Sequence, residues 1–324
     1  MLKAVCNVGD FPRGVFFTLA AAVLWGSMAV AAQLLMLREA IDAAWLVVVR
    51  LCFAGGLLLL WALARQSEDV RRIFTSAVNF RDVLFGGFFI YGGQFAFMQA
   101  IRYSNAGAAA VVLTTVPLWV ALWEALVNRR MPSARMMICF VLAASGVALI
   151  VTKGELDASQ FNLRGLLWAV GCALMTAAYS VQPRALLKRV ALIPVMGCAM
   201  LFGGIMAAAV ALFTGERFTG EGLDLQAAML LFHVVFFGTL VAFCCYMTAI
   251  RLISPVIVGI LGGAEPVTAY VLSVLIMNVR VGAVELAGIV LVLLTVVILA
   301  RRPPEKSSGE NIARRWQKNR TEST

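Results

Sequence analysis

The chain has 324 residues, of which 62% are hydrophobic and only 14% are charged, and its formal net charge is +10. A soluble domain is typically about half apolar and a quarter charged, so this composition excludes a soluble globular protein and predicts an integral membrane protein. The single histidine and the scattered cysteines argue against a metal site or a disulfide framework, so neither a metal nor a cofactor is expected.

Apolar runs follow one another along the chain, and each is close to the length of about 20 residues that crosses a bilayer core as a helix. Ten such runs are present, at 14–36, 43–64, 83–101, 106–127, 133–152, 165–182, 192–213, 225–250, 255–277 and 282–300. They predict an all-α membrane protein with ten transmembrane helices. The segments between them are predicted to be loops, the longest of which include 65–82.

The placement of the basic residues predicts the topology. Most of the Lys and Arg residues outside the runs fall in segments on the same side as the N-terminus. By the positive-inside rule, both termini are therefore predicted to be cytoplasmic. The basic excess reports topology rather than a nucleic-acid partner. The polar, basic tail 301–324 cannot bury enough apolar surface to fold alone, so we expect it to be disordered against anionic lipid.

An internal repeat organises the chain. The sequence Ala100-Ile101-Arg102 recurs as Ala249-Ile250-Arg251, 149 residues later, and Pro117 recurs at the same offset as Pro266. A constant offset across several helices indicates a duplicated unit. A proline inside a helix breaks its hydrogen-bond ladder, so these two prolines are predicted to be paired helix breaks.

Each repeat contains five of the predicted helices, in domains 14–152 and 165–300. Because five is odd, the second copy enters the membrane from the opposite side, and the two repeats are predicted to be inverted. Inverted repeats with broken helices at the midplane are the architecture of secondary transporters.

Glu265 is the only ionisable residue of the run 255–277, and it lies about halfway along it. A charge at the bilayer centre costs about 2.5–3.5 kcal/mol on insertion scales, so the glutamate is predicted to face a cavity and to carry function. It is a candidate proton carrier or a counter-charge for a cationic group. The alternative is a structural residue that bonds the backbone groups freed by Pro266.

Arg50 and His233 also lie inside predicted spans, and both are candidates for a functional role. Arg50 is predicted to face a substrate, but pairing with Glu265 and snorkelling to the interface are also open. His233 suits a proton relay, or it bonds between helices.

The predicted binding site combines these charges with aromatic and amide side chains, as small-molecule sites usually do. Its candidate residues are Trp25, Arg50, Gln94, Gln99, Tyr179, His233, Tyr246 and Glu265. For each uncharged member, hydrogen bonding between helices is the competing explanation.

Several motifs in order resemble the EamA domain of the drug/metabolite transporter superfamily. They are Leu24-Trp25-Gly26-Ser27, Ala177-Ala178-Tyr179, Ala100-Ile101-Arg102 together with Pro117, and Glu265-Pro266. The resemblance covers both repeats and implies ten helices, cytoplasmic termini and secondary transport of small metabolites, often as export across a bacterial inner membrane. The family usually ends its fourth and ninth helices with a Gly-Glu pair, which is missing here at 127–130 and 277–280.

Taken together, these features predict an exporter that alternates access around a mid-membrane site for a small polar or amphipathic metabolite such as an amino acid, with proton exchange through Glu265. An exporter of lipophilic cations or drugs is the first alternative. A membrane-embedded enzyme is disfavoured because every aspartate lies outside the spans and no Gly-x-Ser-x-Gly elbow occurs. Gly259 and Gly263 have the spacing of a helix-packing motif, which leaves a homodimer open.

Overall fold

The structure is a computed structural model that describes residues 10–38, 41–127, 134–152, 162–215, 224–253, 258, 261–278 and 280–300. All secondary-structure elements in these residues are helical. The predicted tail 301–324, together with Gly259 of the predicted packing motif, lies outside the described residues.

The described residues of the first half form seven α-helices. They are α1 (Asp10–Leu37), α2 (Ala43–Arg65), α3 (Ser67–Thr75), α4 (Ala77–Tyr103), α5 (Ala106–Leu113), α6 (Val116–Val127) and α7 (Ala134–Thr152). The second half contains α8 (Leu163–Val181), α9 (Leu192–Phe213), α10 (Leu225–Phe232), a π-helical segment (His233–Val241), α11 (Ala242–Leu252), α12 (Ala264–Met277) and α13 (Ala283–Ala300). Two short 3-10 turns, Gln182–Arg184 and Leu186–Lys188, connect α8 to α9.

Six helical stretches of the described chain are long and apolar enough to cross a membrane. They are Phe11–Leu37, Ala43–Arg65, Ala77–Tyr103, Leu163–Lys188, Leu192–Phe213 and Leu225–Ala249. Four shorter apolar helices accompany them, at Ala106–Val120, Met137–Ile150, Ala264–Met277 and Ala283–Thr295. The outer surface carries large apolar side chains such as Phe16, Leu212 and Leu275, which are 66%, 69% and 71% exposed. Such a surface suits a lipid environment rather than water.

Polar contacts identify the two ends of the bundle. At one end, which we call the Arg38 end, Arg38 at the close of α1 bonds to Gln226 and lies 3.7 Å from Asp224 at the start of α10. At the other, the Asp69 end, the carboxylate of Asp69 on α3 accepts a hydrogen bond from the backbone N–H of Ala191, just before α9. The end of α1 therefore lies beside the start of α10, and α3 lies beside the start of α9.

Helix α3 was not anticipated, because 65–82 was predicted to be a loop. Its nine residues are too few and too polar to be recognised as a span. Val70 and Ile73 are nevertheless one turn apart and buried, while Arg72 on the same helix is largely exposed. A short helix of this kind is stabilised by tertiary packing of its apolar stripe rather than by its own propensity.

Two further predicted spans are interrupted. The run 106–127 is divided into α5 and α6 by a turn at Thr114–Thr115, and Pro117 follows in the first turn of α6. A turn at Gly263 likewise precedes α12, and Pro266 lies in its first turn. The two turns are 149 residues apart, which is the offset of the sequence repeat.

Close helix contacts recur at the same offset. A Cβ added to Gly55 on α2 would lie 2.5 Å from the backbone nitrogen of Leu201 on α9, and one added to Gly204 on α9 would lie 2.6 Å from Sγ of Cys52 on α2. Gly204 follows Gly55 by 149 residues, and Leu201 follows Cys52 by 149 residues. The two contacts are therefore equivalent under exchange of the two halves.

Helix pairing follows the same exchange. Helix α1 packs against α11 and α12, and its counterpart α8 packs against α4 and against α5 and α6. The pairs α2 with α9 and α7 with α13 each map onto themselves. The contacts of the two halves are thus related by an approximate exchange.

Candidate functional site

Glu265 lies on the inner face of α12. Val267, Val271 and Val274 form a stripe along this helix and are 44%, 51% and 41% exposed. With about 100° of rotation per residue, Glu265 is about 160° around the helix from Val267, almost opposite the stripe. Its side chain is partly buried. The carboxyl therefore points away from the apolar outer surface and toward the interior of the bundle.

Helix α1 approaches α12 most closely beside this glutamate. A Cβ added to Gly26 would lie 2.6 Å from the backbone oxygen of Glu265 and 2.8 Å from Cβ of Thr268. Only glycine permits this approach, since real Cβ atoms essentially never come so close to a neighbouring backbone. Gly26 thereby sets Trp25 and Ser27, its neighbours on α1, at the level of Glu265.

An aromatic wall stands next to this contact. The rings of Trp25 on α1 and Tyr246 on α11 have centroids 5.3 Å apart and an interplanar angle of 48°. The phenol of Tyr179 on α8 lies within electrostatic range of the Tyr246 phenol. Three of the predicted binding residues, from three different helices, are therefore brought together.

His233 begins the π-helical segment and reaches across to α1. Its Nε2 lies 3.0 Å from Oγ of Ser27, whose hydroxyl also lies 3.0 Å from the backbone oxygen of Leu24. A serine hydroxyl has one proton. When Ser27 donates that proton to Leu24, the imidazole Nε2–H is the donor to Ser27. The histidine thus bonds between helices in this structure, and a proton-relay role stays a prediction.

Arg50 on α2 is 4% exposed and meets the same π-helical segment. Its Nε–H donates to Oγ1 of Thr239 at 3.1 Å, and the Thr239 hydroxyl donates to the backbone oxygen of Val234 at 2.9 Å. Nη1 of Arg50 is enclosed and has no hydrogen-bond partner among the described residues. The sequence left a pairing of Arg50 with Glu265 open, but no ion pair joins these two residues in the structure.

Gln94 and Gln99 complete the predicted set on α4. Gln94 is partly buried, and Gln99 is 7% exposed. Among the described residues, neither amide is hydrogen-bonded to another member of the set. Helix α4 instead contacts α8 through Gly92 and Gly93, which lie against Met175 and Thr176.

The structure adds residues that the sequence did not single out. Cys172 on α8 lies within electrostatic range of the Glu265 carboxyl, and its thiol is 3.9 Å from Oγ1 of Thr176. Ser27 bonds to His233. Ser27 belongs to the motif Leu24-Trp25-Gly26-Ser27, whereas small polar residues on apolar helices are too common for the sequence to mark Cys172 or Thr176. In the described part of the chain, no three His, Cys, Asp or Glu residues are grouped as metal ligands would be.

The model of the EamA-like transporter family matches the chain twice, over residues 12–152 and 163–301. The chain belongs to the EamA-like transporter family. That family is part of the drug/metabolite transporter superfamily, as the sequence motifs indicated, and it is not known to be enzymatic.

Several relatives of this EamA protein are also named as transporters. It is 29% identical over 297 residues to the uncharacterized inner membrane transporter YicL of Salmonella typhimurium (strain LT2), with 90% of this chain and 97% of YicL covered. It is 21% identical over 292 residues to an uncharacterized transporter of Clostridium kluyveri, with 88% and 92% covered. These matches confirm the predicted class, a multi-pass membrane transporter of the inner-membrane type.

A solved crystal structure shares the fold of this EamA protein. The superposition has a TM-score of 0.59 at 18% sequence identity and covers 91% of this chain and 99% of the other. At that identity the likeness concerns the fold alone. The role of the site around Glu265 therefore depends on the residues of this chain and not on that structure.

Proposed function

We propose that this EamA protein is a secondary transporter that exports a small polar or amphipathic metabolite, such as an amino acid, by alternating access around Glu265. The observation that carries the proposal is the convergence of Glu265, Trp25, Tyr179 and Tyr246, from four different helices, inside an apolar bundle. Aromatic walls with a few placed polar groups are typical of small-molecule sites. A carboxyl inside a membrane bundle marks a pathway by default.

The proposal includes ten membrane spans, cytoplasmic termini and two inverted repeats, 14–152 and 165–300. Six long apolar helices, four shorter ones and the exchange-equivalent contacts support this arrangement. Carriers built this way move by rocking one set of helices against another around a central site. The turns at Thr114–Thr115 and Gly263 lie at matching positions in the two halves and supply irregular backbone near that site.

Glu265 is proposed to couple transport to protons. A carboxyl exchanges protons readily, and this one has no cationic partner among the described residues. The same group would bind protons and substrate in alternation. His233, bonded to Ser27, is a second titratable group at the site.

The coupling is tested in liposomes that contain the purified protein. Labelled amino-acid uptake is measured with and without an imposed pH gradient, for the wild type, Glu265→Gln and the exposed control Glu68→Gln. We expect the gradient to stimulate uptake by the wild type and Glu68→Gln but not by Glu265→Gln. An unchanged response of Glu265→Gln would remove the coupling role. Absence of uptake of any amino acid by the wild type would remove the proposed substrate.

Export of lipophilic cations is the second candidate, favoured by a specific observation. A carboxyl beside the rings of Trp25 and Tyr246 resembles the acid-and-aromatic surroundings that bind organic cations. In the same liposomes, a lipophilic cation that is transported, while amino acids neither compete nor are taken up, would establish this candidate. If amino acids are taken up and lipophilic cations are neither transported nor compete with them, this second candidate is excluded.

A further inference from the structure

We propose that Arg50 and Thr239 form an anion-binding subsite on the transport pathway, so that the transported molecule carries an oxyanion such as a carboxylate or phosphate. This inference deepens the proposed function and rests on it for its place in the transport cycle. It is carried by the surroundings of Arg50 and by a comparison of the two halves of the bundle.

The guanidinium of Arg50 is buried, and no residue that the structure describes supplies a counter-charge. The side chain is 4% exposed, its one described hydrogen bond is to the neutral hydroxyl of Thr239, and Nη1 has no described partner. A buried charge is strongly disfavoured unless an opposite charge and hydrogen bonds satisfy it. Arginine presents its donors in a fixed planar fork that matches carboxylate and phosphate oxygens. An oxyanion ligand would supply what the protein leaves out.

The π-helical segment fixes the direction of the fork. Thr239 donates to the oxygen of Val234, five residues earlier, which is the spacing of a π-helix. Its hydroxyl oxygen is therefore free to accept from Nε of Arg50, and this bond orients the remaining donors. Short π-helical segments within α-helices are rare and are frequently found at functional sites. The guanidinium is held by its Nε edge, and Nη1 has no described hydrogen-bond partner.

The other half of the molecule shows that the fold does not need this arginine. The residue 149 positions after Arg50 is Ala199, and the residue 149 positions before Thr239 is Ile90. Both line one small cleft toward the Asp69 end, which has room for about one water molecule. The crossing of α9 and α4 thus has two apolar side chains at the positions that Arg50 and Thr239 occupy in the crossing of α2 and the π-helical segment. The counterpart of Arg50 is therefore uncharged.

Access to Nη1 requires the helices around it to part, because the atom is enclosed in this structure. The elements that hold the guanidinium are α2 and the π-helical segment, which pack against each other toward the Arg38 end. An oxyanion that binds Nη1 therefore favours a state in which the packing around this atom is loosened while the bond from Nε to Thr239 is kept. In an alternating-access cycle, that state is the one open toward the Arg38 end.

The test compares ligands that carry a carboxylate, a phosphate or no anionic group. Binding to the purified full chain is measured by thermal shift and titration calorimetry, with each of several amino acids, the matching amino-acid amide, butyrate and inorganic phosphate. We expect the wild type to bind at least one of the anions and to prefer an acid to its amide. The carboxylate and phosphate arms distinguish the two kinds of oxyanion.

Three variants separate the subsite from general effects. Arg50→Met keeps the apolar volume and removes the charge, and it is expected to weaken anion binding by about 10- to 100-fold, the loss of one or two charge-assisted hydrogen bonds. The double variant Arg50→Ala with Thr239→Ile copies the residues at the equivalent positions of the other half. These residues already pack together there, so this variant is expected to fold. Arg38→Met removes one exposed arginine of the Arg38 end and should leave anion binding unchanged.

The outcomes are distinguishable from those of the transport assay. Equal binding of acids and amides by the wild type, no binding of any anion, or undiminished anion binding by both Arg50 variants would overturn the subsite. Anion binding that depends on Arg50 in a protein that transports nothing would instead retain the subsite and overturn the proposed function.

Discussion

At the scale of single residues, the glycines of this protein separate into those that hold two helices together and those that face open space. Gly26 belongs to the first kind, because a Cβ there would meet the backbone of Glu265 at 2.6 Å. Gly171 on α8 belongs to the second, since nothing lies within 4 Å of an added Cβ. The distinction concerns function, because Gly26 fixes the distance between the aromatic wall and the carboxyl.

Gly26→Ala is accordingly expected to lower both stability and transport. The added methyl group must push α12 away from α1, and overpacking of this kind costs about 1–3 kcal/mol. The melting temperature of the purified protein and its uptake rate in liposomes would both fall. Gly171→Ala is the matched control, which should keep its uptake rate and melt no lower, because alanine is the better helix former. Equal behaviour of the two variants would contradict the proposed contact.

Glu265 could be located from the sequence, whereas the partners of Arg50 could not. A lone carboxyl in a run of apolar residues is visible without any structure, and its depth follows from counting. The bond between Arg50 and Thr239 joins residues 189 positions apart, and it depends on how α2 crosses the π-helical segment. Crossing of helices is set by side-chain packing and cannot be counted along a chain.

At the scale of secondary-structure elements, the short helix α3 is tied to the bundle by one carboxylate. Asp69 accepts hydrogen bonds from Arg72 on its own helix and from the backbone of Ala191 before α9. The amide of Asn79 on α4 adds a bond to the backbone oxygen of Arg72. These contacts join three elements at the Asp69 end and orient the start of α9.

Asp69→Ala should therefore loosen α3 while leaving the rest of the bundle intact. Losing the bond to Ala191 leaves a backbone donor without its partner, at a cost of about 1–3 kcal/mol. Hydrogen–deuterium exchange of the α3 amides is expected to accelerate, with little change in α2. Glu68→Ala, an exposed acid in the same turn, is the control and should exchange like the wild type. If the α3 amides exchange at the wild-type rate in both variants, α3 is held by its apolar stripe alone.

The elements that sequence reasoning missed are those in which local pattern and tertiary context differ. The nine residues of α3 present only Val70 and Ile73 as a buried pair, which is too little for a reliable helical pattern. The π-helical segment is apolar throughout apart from His233 and Thr239, and nothing in its composition separates it from an ordinary α-helix. In contrast, the long spans follow directly from their length and hydrophobicity.

At the scale of the whole molecule, the exchange relation between the two halves makes a quantitative prediction. Gly55→Ala and Gly204→Ala introduce clashes of 2.5 and 2.6 Å at equivalent places in the α2–α9 interface. We expect their melting temperatures to fall by similar amounts, and Gly56→Ala to cause no fall, because an added Cβ at Gly56 has nothing within 4 Å. A large fall for only one of the two would show that the interface is not symmetric in energy.

The proposed topology is tested by fusions at two places. Green fluorescent protein fused after Thr324 should fluoresce, because the proposed C-terminus is cytoplasmic, whereas alkaline phosphatase fused after Thr214 should be active, because the end of α9 is proposed to be external. The reverse pattern would invert the assigned orientation and leave the fold unchanged. Both fusions avoid the described interior of the bundle.

The unequal filling of the two equivalent crossings also bears on energetics. A perfectly repeated protein would possess two end conformations of identical free energy, each the image of the other. Here one crossing contains the guanidinium of Arg50 and its counterpart contains the methyl group of Ala199, so that degeneracy is lifted. The resting carrier must then spend unequal time facing each compartment, and half-saturating concentrations measured from opposite faces of the membrane will differ, even though no directional energy source has been added.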